Sequence, residues 1–187
     1  MNKKYNSILL DIDNTITEIQ PTLDLMAEVF NREPITAEEV LEFQLAKAYS
    51  ISREEEKKFW KEYEVELSLK SKLAHKRVKQ MLDTYTDEDT VIFVVTMRPE
   101  LAYEATFNWL RENNIRFDTL ICLGKQSKLE YALHFGIEAI FEDNAEVFYE
   151  AEKMGLEDNF DLYVIDYPYN KEVKNAVRLN RETGKPM

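Results

Sequence analysis

The apolar run Ile8-Leu9-Leu10 stops on Asp11-Ile12-Asp13-Asn14-Thr15, which places two carboxylates two positions apart. A run of this kind reads as a buried strand whose carboxyl end delivers the acids. Two aspartates leaving one strand end can share a hard cation through their oxygens, with one free to attack an electrophile. Short D-x-D matches are common, however, and the pair alone reads equally well as an acidic turn that solvates a strand end.

Further runs restrict the choice. Val91–Thr96, Thr119–Leu123, Ala139–Glu142 and Leu162–Ile165 are short and apolar, and helical stretches alternate with them. That alternation specifies an α/β fold, a Rossmann-like parallel sheet of about five strands with helices on both faces. Pro99 opens one amphipathic crossover through Leu101, Ala105, Trp109 and Leu110. Ser127-Lys128-Leu129-Glu130 is a capping box, with Gly136 as the helix stop, and Gly155 closes a helix over 145–154. Residues 17–86 differ: they hold no convincing strand and three helix starts, at Pro21-Thr22, Thr36-x-x-Glu39 and Ser52-x-x-Glu55. A crossover needs far fewer residues, so this segment reads as an inserted all-helical subdomain between 1–16 and 87–187. The polar, basic stretch beyond Lys171 reads as a loose final helix or a frayed end.

Composition bears mainly on partners. With 187 residues, 44% of them hydrophobic, the chain can bury one core with a modest insertion. A net charge of −12 argues against a nucleic acid polymer, which requires a basic surface. A small phosphorylated substrate held by a local cation and a lysine remains compatible. Cys122 is the single cysteine and reads as a small core residue; it cannot form an internal disulfide, which suits a reducing compartment. Met1-Asn2-Lys3-Lys4-Tyr5 precedes no signal-like apolar region, and no stretch approaches a membrane span, so a cytoplasmic location without a membrane partner is expected. An oligomer is possible but has no support in the sequence.

Ligands of an open parallel sheet gather at strand carboxyl ends where the winding reverses. If the first strand is central, with the second on one side and the fourth on the other, Asp11, Asp13, Thr96 and Asp143 converge. Such a set of carboxylates repels itself without a cation, and Mg2+ suits an all-oxygen site completed by water and phosphate. Lys128 lies in the first turn of its helix, where the macrodipole disfavours a positive charge by up to about 1 kcal/mol. A phosphate and carboxylates such as Glu142 offset that cost; two solvated lysines, Lys125 and Lys128, are the plainer alternative.

Asp-Ile-Asp-Asn-Thr, Val-Val-Thr-Met-Arg-Pro, a lysine opening a helix, and Phe-Glu-Asp-Asn together resemble the four ordered motifs of the haloacid dehalogenase superfamily of phosphohydrolases. The resemblance covers 1–16 and 87–187, and the insertion at 17–86 is similar to the helical cap of many members. It implies a Mg2+-dependent phosphatase that forms an aspartyl-phosphate. In that scheme Asp11 is the nucleophile and Asp13 the general acid and base. Thr96, with Met97 and Arg98 beside it, binds phosphate and substrate. Lys128, or in its place Lys125, neutralises charge. Asp11, Asp13 through its main-chain carbonyl, and Asp143 hold the metal, while Glu142 orients the lysine or a metal-bound water.

Among the members, the chain looks most like bacterial proteins similar to 5′(3′)-deoxyribonucleotidases, in length, cap position and the segment Asp166-Tyr167-Pro168-Tyr169-Asn170. This implies a (deoxy)nucleoside monophosphate as substrate. A sugar-phosphate phosphatase or phosphomutase on the same core, and a non-catalytic nucleotide-binding module, are the alternatives. In the insertion Phe43, Tyr49, Phe59, Trp60 and Tyr63 could stack on a base, but aromatics at helical spacing are mostly packing. His75 and His134 read as helix-surface residues without metal-binding spacing.

Overall fold

The computed structural model describes residues 3–124 and 126–187. Six parallel strands form one sheet: β1 (Ser7–Leu10), β2 (Val91–Thr96), β3 (Thr119–Cys122), β4 (Ala139–Glu142), β5 (Asp161–Ile165) and β6 (Val177–Leu179), in the order β3-β2-β1-β4-β5-β6. β1 is flanked by β2 and β4, with Leu10 level with Val94 on one side and Phe141 on the other. The winding therefore reverses at β1, and Asp11 leaves the sheet between the ends of its two neighbours. Among the described residues no helix is long and apolar enough to cross a membrane.

Side chains along the strands alternate between two buried layers, as the period of two requires. Ile8, Leu10, Val94, Phe141 and Tyr163 face α4 (His75–Tyr85) and α5 (Tyr103–Glu112). Leu9, Val95, Ile140 and Val164 face α6 (Lys128–His134) and α7 (Ala145–Met154). Both faces are thus covered, which explains why these strands read as nearly continuous apolar runs.

Four helices lie between β1 and β2. They are α1 (Gln20–Val29), the single turn α2 (Leu45–Ala48), α3 (Arg53–Lys70) and α4. Ser52 and Glu55 form the capping box that starts α3. The Thr36–Glu39 box starts only a 3-10 turn, Ala37–Glu39, rather than a helix. Phe59 of α3 packs against Phe30, just past the end of α1, with ring centroids 5.9 Å apart, and Tyr49 donates its hydroxyl to the Leu23 carbonyl at 2.6 Å. The chain segments entering and leaving this group pair as an antiparallel bridge, Thr17 with Leu73, flanked by Glu18 N–H to Lys72 O at 2.8 Å and Ala74 N–H to Ile16 O at 2.9 Å. Beyond the bridge α4 turns back onto the sheet, where the Tyr85 ring lies 4.6 Å from Tyr163 and 5.3 Å from Phe141.

The end of the chain departs from expectation. In place of a loose helix, Val177–Leu179 adds a sixth strand on β5, with Leu179 fully buried. Arg178 holds this corner by donating to Asp166 at 2.8 Å and to the Asn170 and Val173 carbonyls. The following turn lies against α4. Arg77, itself buried, donates to the Thr17 carbonyl at 2.6 Å and the Arg181 carbonyl at 2.5 Å, tying the entering segment to the tail. Gly184 has a φ of +71°, and a Cβ there would stand 2.6 Å from the Arg77 carbonyl oxygen. Gly184→Ala is therefore expected to lower stability by about 1–3 kcal/mol, measured as a lower urea midpoint with an unchanged slope.

Candidate active site

The turn after β1 places the two opening aspartates differently. Asp11 N–H still donates to the Phe141 carbonyl at 3.0 Å, so Asp11 continues the ladder and is buried. The chain then coils, with Ile16 and Thr17 N–H groups donating to the Ile12 carbonyl. Asn14 takes the left-handed conformation at φ 62°, which asparagine tolerates better than most residues. Asp13 consequently points outward, with about half of its side chain exposed.

Lys128 bridges the ends of β1 and β4. Its ammonium is buried and donates to Asp11 Oδ1 and, at 2.5 Å, to Glu142 Oε2. Glu142 Oε1 accepts the Asn144 N–H at 3.0 Å and the Asp143 N–H at 3.2 Å, which fixes its carboxylate. Asp143 Oδ2 accepts from the Tyr169 hydroxyl and from Asn14 Nδ2 at 3.2 Å. Asn170 clamps the same turn by donating to the Asp143 carbonyl at 2.7 Å and to Ile165 O at 2.8 Å.

Asp11, Glu142 and Asp143 thus offer carboxylate oxygens within 4.8 Å of one another, all buried. Among the described residues Lys128 is the one ammonium beside them. Burial, then the charge of Glu142, push the Asp11 carboxyl up to about 7, against the pull of Lys128. Asp143 is raised by burial, then by Glu142 and Asp11. Burial pulls Lys128 down, but Asp11 and Glu142 hold it above its ordinary value, so it stays charged. A hard divalent cation fits this set: the donors are all oxygen, and the charge left over after Lys128 is negative.

Asp13 belongs to a second cluster. Arg98 grips it in bidentate fashion, Nη2 to Oδ1 at 2.6 Å and Nε to Oδ2 at 2.9 Å. The buried guanidinium also donates to Thr106 at 3.1 Å and to Ser71 Oγ at 3.0 Å, just after α3. The Trp109 indole N–H holds the Ser71 carbonyl at 2.7 Å. Thr96, buried at the end of β2, accepts the Arg98 N–H on its hydroxyl at 3.2 Å.

A cavity of about 530 Å3 opens over Asp13, Asn14, Met97 and Arg98. Its other walls come from the inserted helices, with Phe43, Trp60 and Glu64 among them, and from Tyr169. The Phe43 and Tyr169 rings meet edge to face, 5.7 Å between centroids, closing one side. Of the five insert aromatics weighed as stacking candidates, Phe43 and Trp60 reach the cavity, whereas Tyr49 and Phe59 are buried core.

The structure therefore gathers Asp11, Lys128, Glu142 and Asp143 at one point and Asp13, Met97 and Arg98 at the adjoining cavity, with Thr96 buried at the neighbouring strand end. Lys125 lies outside the described residues. Asn14, Glu64, Ser71 and Tyr169 are site residues without an assigned role in the sequence. The Tyr-Pro-Tyr-Asn segment was a visible signal for Tyr169; nothing distinguished Glu64 within its charged helix.

Glu64 is half-buried and has no hydrogen-bond or ion-pair partner among the described residues. Burial raises its carboxyl to about 7, with the charge of Asp13 adding to the rise and Arg98 opposing it. The folded protein then keeps a proton that the unfolded chain releases, so this group lowers stability as pH climbs from about 4.5 to 7. Glu64→Gln is expected to remove that decline and to gain about 1 kcal/mol at pH 8 but nothing at pH 4, the figure being reduced for partial exposure. Urea titrations of both proteins at the two pH values test this.

No family model matches the chain. Over 90% of its length it is 28% identical to a nucleotidase of Clostridium acetobutylicum, covering 84% of that protein. It is 29% identical, over 97% of its length and 91% of the relative's, to a provisionally named nucleotidase of Halalkalibacterium halodurans. Among solved structures it superposes on a provisionally named β-phosphoglucomutase from Thermotoga maritima, with a TM-score of 0.52, 18% identity and 94% of each chain covered. A subfamily IA hydrolase of the haloacid dehalogenase superfamily from Geobacter sulfurreducens superposes with a TM-score of 0.51 at 15% identity, over 91% of this chain and 92% of that one. The chain thus shares its fold with these solved structures, and relatives named as nucleotidases span most of its length.

Proposed function

We propose that the chain is a Mg2+-dependent phosphatase that hydrolyses a nucleoside monophosphate through an aspartyl-phosphate. The observation that carries this reading is the buried Lys128 ammonium bridging Asp11 and Glu142 beside the cavity into which Asp13 opens. In this scheme an Asp11 carboxylate oxygen attacks phosphorus and the P–O bond to the leaving alcohol breaks. Asp13 gives that oxygen its proton. Asp13 then takes a proton from water, whose oxygen attacks phosphorus, releasing phosphate and restoring Asp11. Both Asp13 oxygens accept from Arg98 in this structure, so acting as an acid requires one of them to leave the guanidinium.

Asp11, the Asp13 carbonyl and Asp143 would hold Mg2+, which supplies charge neutralisation at the phosphoryl group. Lys128 neutralises the nucleophile and the transferred oxygens, and Glu142 fixes the lysine. Thr96 and the neighbouring N–H groups would hold phosphoryl oxygens. In this reading the insert from 19 to 71 acts as the cap, pivoting about the paired strands at Thr17 and Leu73; α4 stays with the sheet because Tyr85 packs on it. The nucleotidase names of the two relatives support a nucleotide substrate. The lone Cys122, unable to form an internal disulfide, supports a cytoplasmic setting.

A panel of nucleotides and sugar phosphates assayed for phosphate release tests the proposal. Activity is expected on nucleoside monophosphates, to vanish with EDTA and return with Mg2+. Asp11→Asn is expected to lose at least about 1,000-fold in kcat. An undiminished rate in that variant would remove the nucleophile assignment. Activity confined to sugar phosphates would replace the nucleotide substrate.

A further inference from the structure

Among the α3 residues that line the cavity, Lys57, Trp60, Glu64 and Leu67 follow one another in a stripe, three or four residues apart; Arg53 and Glu56, which also line it, are ion-paired to each other at 2.8 Å. Such residues share one helix face. The helix runs toward Ser71, which touches Arg98, so Glu64 is the charged member nearest the reacting end. Trp60 follows about 6 Å further along the axis and Lys57 about 10 Å further. Among the described residues Lys57 is paired only with Glu54, at 2.8 Å on the exposed surface, a contact that contributes little. Reading outward from Asp13, a ligand therefore meets an acceptor carboxylate, then an indole face, then a cation.

A solvated surface glutamate would already be satisfied by water. Glu64 is different, because it is half-buried, lines the cavity and is unpaired among the described residues, with Asp13 and Arg98 as its charged neighbours. A carboxylate in that setting gains most from a ligand that brings hydrogen-bond donors, since charged acceptors make the stronger bonds. It disfavours a ligand with a second negative charge beside the ester.

We infer that Glu64 selects the sugar of the leaving alcohol, accepting a hydrogen bond from a ring hydroxyl, while Trp60 lies against the base. This inference rests on the nucleotidase reading and adds to it the part of the nucleotide that α3 recognises. The order along the stripe matches the order within a nucleotide, in which phosphate, hydroxylated ring and aromatic base follow one another. It also accounts for the placement of a carboxylate so close to a phosphate site. There it excludes bisphosphorylated sugars, whose second phosphate would face Glu64.

The test compares kcat/KM at pH 8 for a nucleoside 5′-monophosphate, its 2′,3′-dideoxy form and its 3′,5′-bisphosphate, in wild type, Glu64→Met and Glu64→Gln. Wild type is expected to lose about tenfold or more when both hydroxyls are removed, and Glu64→Met to lose that preference. Both variants are expected to accept the bisphosphate better, relative to the monophosphate, than wild type does. Wild type hydrolysing nucleotides without regard to the hydroxyls would overturn the inference, even if neither variant folds. Variants that keep the full wild-type preference would overturn it too. Hydrolysis of other small monoesters with none of any nucleotide would overturn this inference together with the nucleotide reading. Either of the first two results would leave the nucleotide reading standing.

Discussion

Three buried carboxylates facing the Lys128 ammonium form the constraint on which the site depends. Asp11, Glu142 and Asp143 leave adjacent parallel strands, and the parallel arrangement forces both carboxyl ends to the same edge of the sheet. Taking such charges out of water is costly unless they are paired. Lys128 offsets part of that cost by reaching two of the three, and hydrogen bonds from Tyr169, Asn14 and backbone N–H groups offset more. What remains is a directed negative field at the end of β1. Such a field suits the divalent cation that the proposed function requires, and a merely stable fold would avoid it.

The second cluster links this chemistry to the inserted helices. Arg98 touches Asp13 and Ser71 at once, so the position of the segment leaving α3 and the orientation of the proposed acid are tied through one guanidinium. The insert enters and leaves through two paired segments, braced from behind by Arg77. Any movement of α3 over the cavity would be felt at Arg98 before it reached Asp11, which sits deeper and is held by the sheet ladder.

Much of this was legible in the chain because the sheet is buried on both faces. Continuous apolar runs mark β1 to β5 closely, and α7 ends at Gly155 as read. β6 escaped because Val177-Arg178-Leu179 is too short to show a period, and a charged residue interrupts it. Thr36 and Glu39 make their capping box, yet Val40 takes an extended conformation and the turn goes no further. The motif acids were readable from their places at strand ends, and Lys128 from its place in the first turn of a helix. Glu64 was not, since α3 is rich in glutamate and lysine and only tertiary packing decides which of them faces the cavity. The pairing of Asp13 with Arg98 likewise depends on β1 and β2 lying side by side.

The most direct measurement is the thermal unfolding midpoint at pH 8, with and without Mg2+, in wild type and in Asp143→Asn. If buried carboxylate repulsion shapes the site, wild type gains a higher midpoint with Mg2+. The variant without Mg2+ then unfolds above wild type without Mg2+ and loses the response to the ion. A wild-type midpoint indifferent to Mg2+, or an equal gain in both proteins, would contradict the account.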